Sequence, residues 1–201
     1  MTPLRPTAEP VNPWYDESPD DLHWQAHTSA AHAAGQAWAG LLRGRMPRLR
    51  ALTRLVTRTD PAAVVCCHLD PQPGNVLIDS AGQYTLMDWD DAGRGSPERV
   101  LFGALCDWHV HGGRLDADGI RATMAAYRAA GGRAEMAGLE AMGSHIAASL
   151  NYIDVQLHAA LDRTAASDDR ERAGRAVRSL LAGLPGPDLF HAVLLTARTR
   201  L

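Results

Sequence analysis

The sequence predicts a mainly helical α+β chain in which helices flank a short block of strands. Helix start signals recur on both sides of the middle: Ser18-Pro19-Asp20-Asp21 before it, and Ser96-Pro97-Glu98, Asp116, Ser167-Asp168-Asp169 and Pro187-Asp188 after it. Between Asp60-Pro61 and Ser96 the hydrophobic period changes, and three short apolar runs of strand length follow one another. At 201 residues the chain has room for one core, or one core with a helical annex.

In order, residues 1–17 are proline-rich and read as an extended lead-in, and residues 18–201 read as one unit. A helix is expected from Pro19 to Leu42, with Trp24, His27, Ala31, Ala34, Trp38 and Leu41 on one stripe. A second is expected from Pro47 to Arg58, carrying Leu49, Leu52, Leu55 and Val56, so that 18–60 holds two helices. Ala63-Val64-Val65-Cys66-Cys67 has the continuous apolar character of a buried strand. Asn75–Asp79 and Tyr84–Asp88 flank Ser80-Ala81-Gly82-Gln83, a four-residue hairpin turn. Residues 63–95 therefore carry strands and loops, and 96–201 carries helices at 97–111, 116–130, 137–162, 168–183 and 187–199.

Several classes are set aside by composition. No run approaches the ~18 apolar residues of a membrane span, and the first twenty residues lack the apolar centre of a secretory signal, so no membrane partner and a cytoplasmic location are expected. Twenty basic and 23 acidic residues are spread along the chain for a net charge of −3, so no nucleic-acid partner is expected. All the basic residues are arginine, and there is no lysine. Three cysteines, two of them adjacent and none in C-x-x-C spacing, argue against a disulfide frame or a zinc ribbon.

The chemistry lies in His68-Leu69-Asp70-Pro71-Gln72-Pro73-Gly74-Asn75 and, past the hairpin, Leu86-Met87-Asp88-Trp89-Asp90. With residues 80–83 as the turn, Asp79 pairs with Tyr84 and Asn75 falls opposite Asp88, which brings an amide oxygen and a carboxylate within ~5 Å at Cβ. Two oxygen ligands of that kind suit magnesium, which keeps several waters and takes substrate phosphates as its remaining ligands. Asp70, in a loop stiffened by two prolines, can reach the same mouth and accept a proton from a hydroxyl. A hydroxyl-orienting Asp, a metal-binding Asn five residues on, and a second metal-binding Asp beyond a hairpin make a phosphoryl-transfer pattern.

On the spacing H-x-D-x-x-x-x-N over His68, Asp70 and Asn75, and on Asp88-Trp89-Asp90, the segment from Val64 to Leu101 resembles the aminoglycoside phosphotransferase family. The resemblance implies the large lobe of a protein-kinase-like fold, with the N-terminal small lobe absent. It implies ATP-dependent phosphorylation of a hydroxyl on a small-molecule acceptor, an aminoglycoside-like antibiotic or a metabolite. Asp70 would be the catalytic base and His68 the structural histidine of the catalytic loop. Asn75 and Asp88 would hold Mg2+, and through it ATP or another nucleoside triphosphate. The helices carrying Trp108, His109, His111, Asn151, Tyr152 and Asp154 line the acceptor pocket in that family, and Asp90 and Asp91 beside the metal loop would meet the acceptor.

Two departures stand against turnover. The family's phosphate-binding lysine has no counterpart, and an upstream lobe or a separate partner chain would have to supply it. Where the family has Asp-Leu after the metal loop, this chain has Val100-Leu101, and Glu98 lies on another side of the helix. The alternative is accordingly a truncated, non-catalytic or repurposed module that binds a small molecule and a metal. Of the other features, His23 and His27 read as helix-face histidines, Cys66 and Cys67 cannot meet one ion because strand neighbours alternate faces, and Gly93-Arg94-Gly95 is too short for a phosphate cradle.

Overall fold

A computed structural model describes residues 10–199. Of the lead-in, residues 1–9 lie outside the described residues; in the rest, Pro13–Tyr15 forms a 3-10 turn whose start is capped by Asn12 Oδ1, which accepts from the Trp14 amide at 3.0 Å. Helix α1 (Asp21–Ala33) starts at Asp20, whose carboxylate accepts from the His23 amide at 2.9 Å. It does not continue to Leu42. Gly35 adopts φ 64°, and the Gln36 and Gly35 amides reach back to the carbonyls of Ala31 and His32, closing the helix with a left-handed cap. Helix α2 (Ala39–Thr53) then begins before Pro47 and contains it. The apolar stripe misled because Trp38 and Leu42, past the break, point into the same core as Trp24 and Ala31. Burial of Leu42, Met46, Leu49 and Leu52 outweighs the backbone bond that Pro47 removes.

Strand β1 (Val65–Cys67) pairs antiparallel with β4 (Gly93–Gly95), and β2 (Val76–Ile78) with β3 (Tyr84–Leu86). One expectation fails here. β1 is not buried, since Val65 is 52% exposed and Cys66 is exposed too. Gly93-Arg94-Gly95 is a strand, because small residues allow β1 and the loop after it to lie close against it.

Helix α3 (Pro97–His109) stops two residues short of expectation, where Val110–His111 (β5) folds back on Arg114–Leu115 (β6) over a Gly112-Gly113 turn. Helix α4 (Ala117–Ala129) follows, capped by Asp116. The expected helix 137–162 divides into a 3-10 turn, Leu139–Met142, and α5 (Gly143–Leu161). Helices α6 (Ser167–Gly183) and α7 (Pro187–Arg198) match their expected spans within a residue.

The mostly helical architecture with small sheets centres on α5, whose Ile146, Leu150, Ile153 and Leu157 are buried against helices from both ends of the chain. Trp24, Leu42, Phe102 and Val193 belong to the same apolar cluster. The strand block sits outside it, so a rigid helical body carries the loops on its surface. No single helix among the described residues is long and apolar enough to cross a membrane.

Candidate functional site

The β1–β4 pair fixes where two loops leave the strands, which is what brings them together. In the first loop Leu69 takes φ 69°, an uncommon conformation for a branched side chain. Its side chain folds over β4 so closely that a Cβ on Gly95 would lie 2.4 Å from Leu69 Cδ2. The left-handed residue re-aims the backbone, and Asp70 follows it. Asp70 Oδ2 accepts from Gln72 Nε2 at 2.8 Å and from Asn75 Nδ2 at 2.9 Å, and the same Asn75 nitrogen donates to the Asp70 carbonyl at 2.9 Å. Both side-chain bonds fall on Oδ2, leaving Oδ1 available to take a proton. The Asn75 amide nitrogen is likewise committed, so only its oxygen is left for a cation.

The second loop carries Asp88. The register differs from expectation by one residue: Ile78 pairs with Tyr84, and the Met87 amide donates to the Asn75 carbonyl at 2.8 Å, so Asn75 lies opposite Met87 and not Asp88. The cause is Asp79, whose Oδ1 accepts from the amides of Ala81 and Gln83 at 2.8 Å and draws the residue out of the strand into a five-residue loop. A one-residue slip reverses every side chain on a strand. Asp88 is nevertheless not governed by the strand, because it adopts φ 60° and ψ 62° and starts a 3-10 turn, Trp89–Asp91. His68 ties the loops together: its Nε2 is 2.7 Å from the Met87 carbonyl and its ring stacks edge-on against Trp89 at 4.7 Å. Its buried Nδ1 has no hydrogen-bond partner.

Beside Asp70 opens a cleft of about 570 Å³ walled by Trp14 and Tyr15 of the lead-in, by Asp91, by Asp107 of α3 and by His145 and Tyr152 of α5. A narrower recess continues from Asp70 toward Leu69, Val100 and Gly103. The lead-in is held over the cleft by Asn151, which donates to the carbonyls of Trp14 and Glu17, both at 2.8 Å. Burial raises the pKa of the Tyr15 hydroxyl, and the charges of Asp91, Asp70 and Asp88 raise it further; Asp70 and Asp91 line the same cleft as Tyr15. The charge is lopsided: Arg99, the arginine lining the recess, is spent on the Thr57 and Arg58 carbonyls and the Thr57 hydroxyl.

Of the residues expected at the acceptor side, Tyr152 and Asp91 line the cleft. The other expected side chains are directed elsewhere. Trp108 turns its indole N–H to the Pro71 carbonyl at 2.8 Å and thus braces the Asp70 loop, a backbone tether on the helix where Val100 offers none. His109 bonds Thr123, and His111 lies 3.0 Å from the Trp108 carbonyl. Asp90 is exposed beside Asp88, and Asp154 is paired with His27 outside the cleft. Asp107 and His145 were missed. Their signal was present: Val100, Gly103 and Asp107 on α3, and His145, Ala148, Ser149 and Tyr152 on α5, follow helical spacing and interrupt otherwise apolar faces with small and polar residues.

Asp107 and His145, 3.9 Å apart, have opposite electrostatic histories. Burial, with a smaller push from Asp70, raises the Asp107 carboxyl to about 6. Burial lowers the His145 imidazole to about 4, against the pull of Asp70. A raised acid gives stability at low pH that is lost as pH rises through about 6, whereas a lowered histidine carries a penalty at low pH that is relieved over the same interval. The two slopes oppose, so this pair contributes little net pH dependence between about 4 and 6. Asp107→Asn leaves the histidine slope alone, and the variant's stability should climb by about 2–3 kcal/mol from pH 4 to pH 6.5 relative to the parent. Urea unfolding across that range measures it, and parallel parent and variant curves would refute the pairing.

The model of the phosphotransferase enzyme family, APH, matches residues 5–139, about two thirds of the chain. No curated protein and no solved structure matches the chain.

Proposed function

Because the chain belongs to the phosphotransferase enzyme family, we propose that its cleft transfers the γ-phosphoryl group of a magnesium nucleotide, ATP or another triphosphate, to a hydroxyl of a small molecule. The observation that carries this reading is the division of labour within one loop. Asp70 Oδ2 is occupied by Gln72 and Asn75, Oδ1 is open, and Asn75 retains a single oxygen near the loop of Asp88. In this reading the acceptor hydroxyl gives its proton to Asp70 Oδ1 as its oxygen bonds to the γ-phosphorus and the bond to the β–γ bridging oxygen breaks, releasing the nucleoside diphosphate, and His68 and Trp108 hold the loop that carries Asp70. The donor set left to Asn75 and Asp88 is all oxygen and fits magnesium, whose contribution is to neutralise charge on the phosphate oxygens. Asp91, Asp107 and Asp70 favour a cationic acceptor bearing hydroxyls, an aminated sugar or a metabolite of that kind, with Tyr152 as an apolar wall. Trp14 and Tyr15 of the lead-in form one wall of the cleft. The arrangement suits the large lobe of a kinase-like fold, and the free thiols of Cys66, Cys67 and Cys106 suit a reducing, cytoplasmic setting.

Ile78 and Tyr84, a cross-strand pair on one face of the β2–β3 hairpin, are each more than half exposed. We read this apolar surface as the floor for a nucleotide base and the seat of a second lobe, carried upstream or by a partner chain, which would also bring the phosphate clamp that a lysine-free chain lacks. The 201-residue chain alone should therefore bind magnesium ATP weakly and turn over slowly, and a β-rich kinase small lobe added upstream should raise both. Calorimetry with magnesium ATP and a phosphate-release assay with aminated sugars decide it. Micromolar binding and steady turnover by the chain alone would remove the need for a second lobe, and silence in both forms would favour the non-catalytic binding module, the reading that the committed Arg99 also favours.

A further inference from the structure

Further along the face of α5 that carries the Asn151 tether, helices α1 and α5 bring three metal-ligating side chains to one point. The ring of His27 is buried, and its Nε2 lies 2.7 Å from Asp154 Oδ1. His158, one turn along α5 from Asp154, places its Nε2 3.6 Å from the same oxygen. The two imidazoles meet edge to face with centroids 4.5 Å apart. One ligand atom from each of the three residues lies within 4.8 Å of those of the other two. From this juxtaposition we propose that His27, Asp154 and His158 form a binding site for a borderline divalent cation of the zinc type, separate from the cleft.

The chemistry of the donors selects the ion. Two imidazoles and a carboxylate suit zinc, cobalt, nickel or copper, whereas the all-oxygen set of Asn75 and Asp88 suits magnesium. Zinc bonds to nitrogen and oxygen are ~2.0–2.2 Å, so tetrahedral ligands sit a little over 3 Å apart. The present separations bracket that value, and the cation would replace a hydrogen bond without moving a helix. The fourth position and the entry path are on the solvent side, where His158 is 65% exposed. His23, one turn before His27, is turned toward Asp20 at 3.6 Å and is not needed as a ligand. Because His27 and Asp154 are 127 residues apart in sequence, the ion would cross-link the first helix to the central one and stabilise the folded chain by mass action.

The test uses the metal-stripped chain and zinc chloride or cobalt chloride alone, without nucleotide or acceptor. One zinc ion should bind per chain, the melting temperature should rise, and cobalt should give the visible absorption of a low-coordinate nitrogen–oxygen site. A millimolar excess of magnesium should displace neither. His158→Ala removes a largely exposed side chain whose ring packs on His27, so it should lower the metal-free melting temperature only slightly while weakening zinc at least about 100-fold, more than the 10–100-fold typical of outer-shell changes. Asp154→Asn should weaken it comparably. Cys66→Ser, which alters an exposed thiol elsewhere, should change nothing. No stoichiometric binding, binding that magnesium displaces, or zinc affinity unchanged in His158→Ala would overturn the proposal.

Discussion

Replacing Asp70 by Asn is expected to lower kcat by about 10²–10⁴-fold with little change in KM, measured in whichever form of the protein, alone or with a second lobe, turns over. The substitution is close to isosteric. The Asn oxygen can still accept from Asn75 and Gln72, as Asp70 Oδ2 does, and the amide nitrogen then occupies the position of Oδ1. The loop keeps its shape, the melting temperature should hold, and the only thing removed is the capacity to accept the hydroxyl proton. A kcat equal to the parent's would take Asp70 out of the chemistry, and a large KM effect at constant kcat would make it a binding group.

The largest effect on stability should come from Phe102→Ala. Phe102 is fully buried in α3, and its ring lies 6.3 Å from that of His145 and 6.2 Å from that of Phe190. Truncating a buried Phe costs about 3–5 kcal/mol through lost transfer energy and the cavity left behind, against a total of ~5–15 kcal/mol for a domain. The expected result in urea is a midpoint shifted far downward. The ring of His145 also loses its backing, so the cleft wall should loosen and activity should fall by more than the unfolded fraction explains. A loss under about 1 kcal/mol would mean that α3, α5 and α7 repack around the gap.

What could be read from the residues, and what could not, divides by the range of the interaction involved. The octapeptide from His68 to Asn75 is local, and the contacts that shape it, Asn75 to Asp70 and Gln72 to Asp70, span five residues or fewer. Helices α6 and α7 were likewise legible, because acidic or proline starts and apolar spacing agree there. The hairpin register depended on whether Asp79 served as a strand residue or a turn acceptor, and its two amide bonds settle that only in three dimensions. Apolar periodicity across Gly35 concealed a helix end because both helices face one core. The burial of β1 was misjudged because a continuous apolar run says that a surface avoids water, not that this stretch of chain is the one that covers it. Trp108 and Asp107 are neighbours ~100° apart around α3, so knowing the helix without its rotation assigned the pocket to the wrong one.

The strand block carries one consequence for how the molecule opens. Residues 65–95 are joined to the helical body by few buried apolar side chains, and their pairing runs through strands of three residues. Such a unit separates from its support at far less free energy than unfolding of α5 requires. Its amides would exchange with solvent through excursions that leave the core intact, and the two left-handed residues, Leu69 and Asp88, would relax in the same excursions. Asp70, Asn75 and Asp88 would open and close with that unit, so that a ligand bridging the loops would gain its grip by suppressing an excursion that leaves the helices in place.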